Sequence, residues 1–478
     1  MVGKMDNSFA FKNFAMNSCH EQNGMERVVT ILFSLSGMFA FYRLILAFML
    51  VFLKNKTHGA LRWSEKYAKT DMVEFATNNS WLFIGRIIAV AGGMTLTVAF
   101  ANLLSPTSFG TYKYVLAMTG LIGGFSVLGG LGAPTIRLVA QGYKNIIPRV
   151  FWMGVLGSLP ASLVSLGVAG YYLYMGNLVL GFGMAFGSVA VLFGTSIGLF
   201  KSLMTGSSDY KGLALYGIPA SLFTPAVMIA VLFTTQNLIA IFAAYFASTL
   251  LFGITMYLLA VKRARASGTL EPTKEIVRST IKRSLHWTLG GMVIPLVNQA
   301  DQLLLWHFVG PVELAIFAFA IAPVREIRAL LENFAPMLAT RFSNRTSAEL
   351  RISIPLRAKQ IFIIAGLFAL AYIIAAPFIF KIFFSQYAGA VYWSQLLALT
   401  LLVQPTKNVL EGAINAQWRT KSYYFTTLTT QIVKLSASVI LIPIFGLAGA
   451  IAGMIITDIA TAIIYILAFR IAYIYRSN

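Results

Sequence analysis

Residues 237–265 read NLIAIFAAYFASTLLFGITMYLLAVKRAR: no charged side chain stands between Leu238 and Val261, and Lys262, Arg263 and Arg265 follow at once. A helix rises about 1.5 Å per residue, so this run is about 36 Å long and exceeds a hydrocarbon core of roughly 30 Å. A surface helix of a soluble protein would carry a charged face, and this one has none. The stretch therefore reads as a membrane-spanning helix whose basic end marks one side of the bilayer.

The pattern recurs along the chain. Apolar runs lie near 80–103, 112–133, 150–175, 177–200, 212–234 and 237–261, and a second set near 286–309, 312–340, 360–384, 391–412, 423–445 and 446–469. Composition agrees, since 58% of the 478 residues are hydrophobic and 11% charged, against about 25% charged in a soluble domain. Mean hydropathy is +0.76. The net charge of +21, from 37 Lys and Arg against 16 Asp and Glu, would suggest nucleic acid in a soluble protein. Here the aromatics are spread through the apolar runs, with no basic stripe among them, which speaks against nucleic acid.

The basic residues gather in alternate connections, at 54–79, 134–149, 201–211, 262–283, 341–359, 419–421 and 470–476, whereas the intervening ones hold only Lys113 and Lys381. Positive charge marks the cytoplasmic side, so the alternation predicts twelve spans with both ends of the unit, including the C-terminus, in the cytoplasm. An apolar stretch at 28–53, interrupted by Arg43, is either an extra helix or a segment upstream of the functional start. The expected division is an extension at 1–60, a six-helix bundle at 61–261, a basic cytoplasmic linker at 262–285 and a second six-helix bundle at 286–478. The linker's charges set topology or meet anionic lipid headgroups.

An offset of 205 residues lays Pro106 on Pro311, Tyr112 and Tyr114 on Phe317 and Phe319, and Gly85 on Gly290. Six helices per half is an even number, so the halves share orientation about an axis along the membrane normal, with a substrate path between them.

Charged residues inside a span cost several kcal/mol and face a cavity or a partner. Lys434 lies about 16 Å into its helix, too deep to reach the interface, and Asp458 is similarly deep in the next. The two either pair with each other or take separate roles at a cavity. Arg325, Arg328 and Glu332 share one helical face, as a diphosphate or acidic-sugar contact or with Arg328 paired to Glu332. Pro323 and Pro336 interrupt the same span. Asp301 stands with Asn298, Gln299 and Gln302, a cluster that either holds a proton or sodium ion or hydrogen-bonds internally. Lys407 and Glu411 are an i, i+4 pair, and Arg86, about 9 Å deep, snorkels or meets substrate.

No phosphate-binding Gly-x-x-x-x-Gly-Lys-Ser/Thr loop occurs. His20, His58, His286 and His307 are too scattered for a metal site, and Cys19, the single cysteine, forms no internal disulfide. No acyl- or glycosyl-transfer constellation stands out, so the expectation is a protein without enzymatic activity, metal or cofactor.

Several segments resemble the oligosaccharide flippases of the multidrug/oligosaccharidyl-lipid/polysaccharide exporter superfamily. They are Leu61-Arg62-Trp63-Ser64-Glu65-Lys66-Tyr67, Ala101-Asn102-Leu103-Leu104-Ser105-Pro106, Phe109-Gly110-Thr111-Tyr112, Asn298-Gln299-Ala300-Asp301-Gln302-Leu303-Leu304-Leu305 and Phe445-Gly446-Leu447-Ala448-Gly449-Ala450. The resemblance runs from about residue 61 to the end. It implies an all-α membrane protein of two six-helix bundles around a central cavity, in a bacterial-type inner membrane. Alternating access would move a polyprenyl-diphosphate-linked oligosaccharide to the outer leaflet for cell-surface polysaccharide or O-antigen assembly. Implied partners are that substrate, membrane lipids, polysaccharide polymerase and glycosyltransferases, with H+ or Na+ as coupling ion. On this reading Arg325, Arg328, Lys434 and Arg86 meet substrate, and Asp301, Asn298, Gln302 and Asp458 form a coupling-ion or polar site. Rival readings are a drug or cation antiporter of the same superfamily, for which acidic cavity residues are expected, and a membrane polymerase or ligase, for which a large outer loop is expected.

Overall fold

The computed structural model of the protein describes residues 72–143, 146–266, 270–332, 347–416 and 420–471. The apolar stretch at 28–53 lies outside them. The described chain is helical almost throughout: α1 Met72–Leu103, α2 Pro106–Gly124, a 3-10 turn Gly129–Leu131, α3 Gly132–Ala140, α4 Ile146–Tyr174, α5 Leu178–Gly206, α6 Tyr210–Thr234 and α7 Leu238–Ala266. The second part holds α8 Lys274–Gly291, α9 Val293–Phe308, α10 Pro311–Glu332, α11 Ser347–Phe383, α12 Ala390–Ala398, α13 Thr400–Ala416 and α14 Thr420–Arg470.

A helix stands over each of the apolar runs. Among the described residues six helices are long and apolar enough to cross a membrane, or seven if α2 and the segment Gly129–Ala140, bent by 69°, count as one. The longest is two arms broken at Gly446, whose φ of 57° lies in the left-handed region glycine favours. Gly449 packs on the Leu441 carbonyl and Gly453 on Ala437, so the arms run back antiparallel as a hairpin. The sequence placed a boundary at this point.

Turn chemistry sets the helix ends. Ser105 caps α2, accepting from Ser108 N, with Pro106 in the first turn, where a missing N–H costs nothing. Asn177 caps α5 through Leu180 N, and Asp209 caps α6 through Gly212 N. Large apolar side chains such as Trp152, Leu156, Leu163, Phe378 and Ile444 face outward. Such a surface suits a lipid solvent and would be a liability in water.

The internal repeat is architectural. Shifting the helices by the Pro106–Pro311 separation lays α1 on α8–α9, α2 on α10, α4 on α11, α5 on α12–α13, and α6 and α7 on the two arms of α14. The basic stretch 262–285 is largely helical, because α7 runs on to Ala266 and α8 begins at Lys274 and continues into α9. Between them Leu270 N donates to Gly142 O at 3.0 Å.

The repeats meet along α2, which lies antiparallel to α9. Tyr114 stacks on Trp306 with ring centroids 4.5 Å apart, Gly120 faces Gln299 and Gly124 faces Pro295. On the side of the short turns at Gly176, Gly310 and Gly446 a buried aromatic layer joins both repeats. Phe109 stacks on Phe319 at 4.4 Å, and Phe319 meets Tyr387 at 4.1 Å. Asn102 Nδ2 adds a hydrogen bond to Phe383 O at 3.0 Å.

Candidate functional site

Below that aromatic layer, toward the basic side, lies a cavity of about 260 Å³. α9 contributes Asn298, Asp301 and Gln302, α10 contributes Arg325 and Arg328, and the first arm of α14 contributes Lys434. Six residues singled out from sequence thus line one space. Arg325 and Arg328 share it because three positions along a helix return to nearly the same face.

Each charge on these three helices has an assignable neighbour. Lys434 Nζ is 4.0 Å from Asp301 Oδ2. Ser438 Oγ, one turn further along, donates to Asp301 Oδ1 at 2.5 Å, with the Lys434 carbonyl as a second acceptor at 2.9 Å. Arg328 donates through one terminal nitrogen to Thr400 Oγ1 at 2.6 Å and lies 3.4 Å from Asp458 Oδ2. Gln404 Nε2 holds the other oxygen of Asp458 at 2.9 Å. The buried Nε–H of Arg328 has no acceptor among the described residues. Arg325 reaches its neighbour Glu326 at 3.3 Å but is half exposed.

The alternative left open for Lys434 and Asp458 is decided by the hairpin. Lys434 and Asp458 do not pair, because the hairpin around Gly446 sets Lys434 nearly opposite Ile456 and turns Asp458 onto another face, toward Arg328. Asp458 thus stands behind the cavity wall, holding Arg328. The Glu332 side chain lies outside the described residues, as does that of Arg86 within α1. Lys407 and Glu411 do pair, at 3.2 Å, away from the cavity lining.

Sequence reasoning missed Lys113, which lines the same cavity from α2. An apolar run beginning at 112 leaves Lys113 at the edge of an outer connection. The helix begins six residues earlier, at Pro106, where the Ser-Pro pair is itself a helix-start signal. Lys113 Nζ sits 5.4 Å from the centre of the Phe109 ring, and none of the ion pairs among the described residues includes it. The lining therefore holds four cationic side chains against the single carboxylate of Asp301. In a medium of reduced dielectric such an excess favours an anion, and guanidinium groups favour one with paired oxygens.

The site thus sits in a helical membrane fold of two repeated halves, in a charged cavity of the second half that Lys113 of the first half closes. Solved structures agree on the fold. The lipid II flippase MurJ in an inward closed conformation superposes with a TM-score of 0.63 at 12% identity, covering 82% of this chain and 87% of that one. An inward-facing multidrug resistance MATE family transporter of the MOP superfamily gives 0.59 at 14% identity, over 82% of this chain and 100% of that one. A MOP superfamily transporter from Pyrococcus furiosus, described as having a binding pocket of reverse polarity that suggests a different function, gives 0.55 at 15%, over 83% and 95%. No curated protein matches the sequence. Residues 75–332 match the polysaccharide biosynthesis protein family, and the chain belongs to that family. The family is one of polysaccharide biosynthesis proteins, and the fold is one shared with multi-pass membrane transporters.

Proposed function

We propose that the protein moves a polyprenyl-diphosphate-linked oligosaccharide from the cytoplasmic to the outer leaflet of a cell membrane by alternating access. The observation that carries this reading is the cavity with Lys113, Arg325, Arg328 and Lys434 against one carboxylate. A diphosphate replaces water around these cations and satisfies the Arg328 Nε–H, while the polyprenyl tail stays in lipid. The fold shared with a lipid II flippase supports a lipid-linked cargo, and the family supports polysaccharide assembly; on this reading O-antigen is one product class.

On this reading the two halves, 61–261 and 286–478, each cross the membrane six times, with 262–285 joining them in the cytoplasm and 1–60 as an extension. The aromatic layer at Phe109, Phe319 and Tyr387 is the closed outer gate. Asp301, with Asn298 and Gln302 beside it, exchanges Lys434 for a proton or sodium ion when substrate draws the lysine away; Asp458 keeps Arg328 aimed. Arg86 meets substrate from α1. Polymerase and glycosyltransferases act on either side of the step. A cationic drug would meet the wrong charge.

Ligand-induced stabilisation tests the reading, since a ligand bound only to the folded state raises its melting temperature. A polyprenyl-diphosphate oligosaccharide raises the Tm of the purified protein, and the matching polyprenol without phosphate does not. Equal stabilisation by both contradicts a diphosphate site.

A further inference from the structure

Among the long described helices α8 has an unusual surface: its sequence carries Lys274, Arg278, Lys282 and Arg283. Thr273 caps its start, accepting from Ile276 N. Its inner face is a ladder of small polar residues, Thr280, Ser284 and Thr288, all buried. Thr288 Oγ1 donates to Ser284 O and accepts from Gly130 N at 2.9 Å. A side chain at Gly130 would collide with Ser284 O and Trp287 Cβ, so the helix is clasped onto the turn between α2 and α3.

That contact fixes which face is left over. At 3.6 residues per turn, Lys274, Arg278 and Lys282 form one exposed row, and Ile281, Leu285 and Leu289 continue the same side. Leu289 is 62% exposed, and Ile281 and Leu285 are 39% exposed each. None of the three cations is ion-paired among the described residues. The row opens on the cations Lys274 and Arg278, overlaps at Ile281 and Lys282, and closes on the apolar Leu285 and Leu289, where the helix passes through Met292 into the apolar α9. Order along the axis therefore follows the order of a leaflet, headgroup first and acyl chain after.

We propose that this face of α8 is a binding site for an anionic phospholipid of the leaflet on the basic side. Its headgroup phosphate lies on the row Lys274, Arg278 and Lys282, and its acyl chain lies along Ile281, Leu285 and Leu289. A basic residue near an anionic leaflet contributes about five-fold in partitioning, and apolar side chains facing acyl chains escape the cost of facing water. The site is separate from the cavity and does not depend on what the cavity carries.

The test uses the full chain with Cys19→Ser and Leu285→Cys labelled with an environment-sensitive fluorophore, in phosphatidylcholine nanodiscs. Brominated phosphatidylglycerol or brominated phosphatidylcholine is added at equal low mole fraction. The expected result is quenching several-fold stronger with phosphatidylglycerol, weakened by salt, and reduced to parity by Lys274→Gln, Arg278→Gln and Lys282→Gln together. Equal quenching by the two lipids in the parent, quenching by neither, or an excess undiminished in the triple variant overturns the proposal.

Discussion

Gly110 backs directly onto the carbonyl of Pro311, so close that a single methyl group on Gly110 would overlap the Pro311 backbone. The contact joins α2 to the start of α10, its counterpart in the repeat. Backbone on both sides leaves no flexible side chain to move aside. Gly110→Ala therefore separates the two helices or shifts the population to arrangements in which they are already apart, at an overpacking cost of about 1–3 kcal/mol. Spin labels at Thr107 and Val312, in a Cys19→Ser background, report a longer interhelix distance for the alanine variant. An unchanged distance distribution contradicts a tight seal at this point.

Among the described residues Lys113 is the one cavity cation that the first repeat contributes and the one without a carboxylate partner. A charge-assisted hydrogen bond is worth about 1.5–3 kcal/mol, so Lys113→Met weakens binding of a diphosphate lipid by about ten-fold or more. Lys113→Arg retains most of it. The Tm of unliganded protein moves little in either, because no ion pair is broken. Titration of the lipid against intrinsic fluorescence gives the affinities.

Arg328 and Asp458 behave as a unit. Removing one partner leaves the other charge buried and costs about 3–5 kcal/mol, whereas replacing both by apolar groups can be nearly neutral. Arg328→Met and Asp458→Leu each lower Tm strongly in thermal unfolding, and the double variant recovers most of the loss. Transport stays impaired in the double variant, since the cavity has lost the Arg328 guanidinium.

Asp209 lies between α5 and α6, at the N-cap of α6. Burial pushes its carboxyl up, but the hydrogen bond from Gly212 N and the Arg263 guanidinium at 2.6 Å outweigh it and hold the pKa below the ordinary carboxylate value. Folded-state depression means the stabilisation is present above the unfolded value, about 3.9, and disappears as pH falls through the folded one. Parent and Asp209→Asn thus differ in Tm near neutral pH and converge below about pH 4. Arg263 is 45% exposed, so screening keeps the difference small and salt-sensitive.

The positions of the helices were legible because apolar length and basic flanks are properties of sequence alone. The repeat was visible in the Pro106 and Pro311 segments, each of which starts a helix. The cavity could be read in part, since Lys434 is conspicuous by its depth, Arg325 and Arg328 by their shared helical face, and Asp301 by its polar neighbours. Partner choice was not legible. Which carboxylate meets Lys434 depends on the rotation of two hairpin arms around Gly446, and sequence depth carries no rotation. Lys113 escaped because apolarity marks where a helix becomes hydrophobic, not where its first turn begins. The basic stretch at 262–285 looked like a linker for the same reason, since charge hides a helix from an apolarity reading.

The most direct measurement places two cargoes in one preparation of proteoliposomes, a fluorescent polyprenyl-diphosphate oligosaccharide and a cationic dye. The account predicts that the lipid-linked sugar crosses and the dye does not, and that Arg325→Ala with Lys434→Ala stops the crossing. Dye movement without sugar movement, or sugar movement undiminished by loss of both charges, contradicts it.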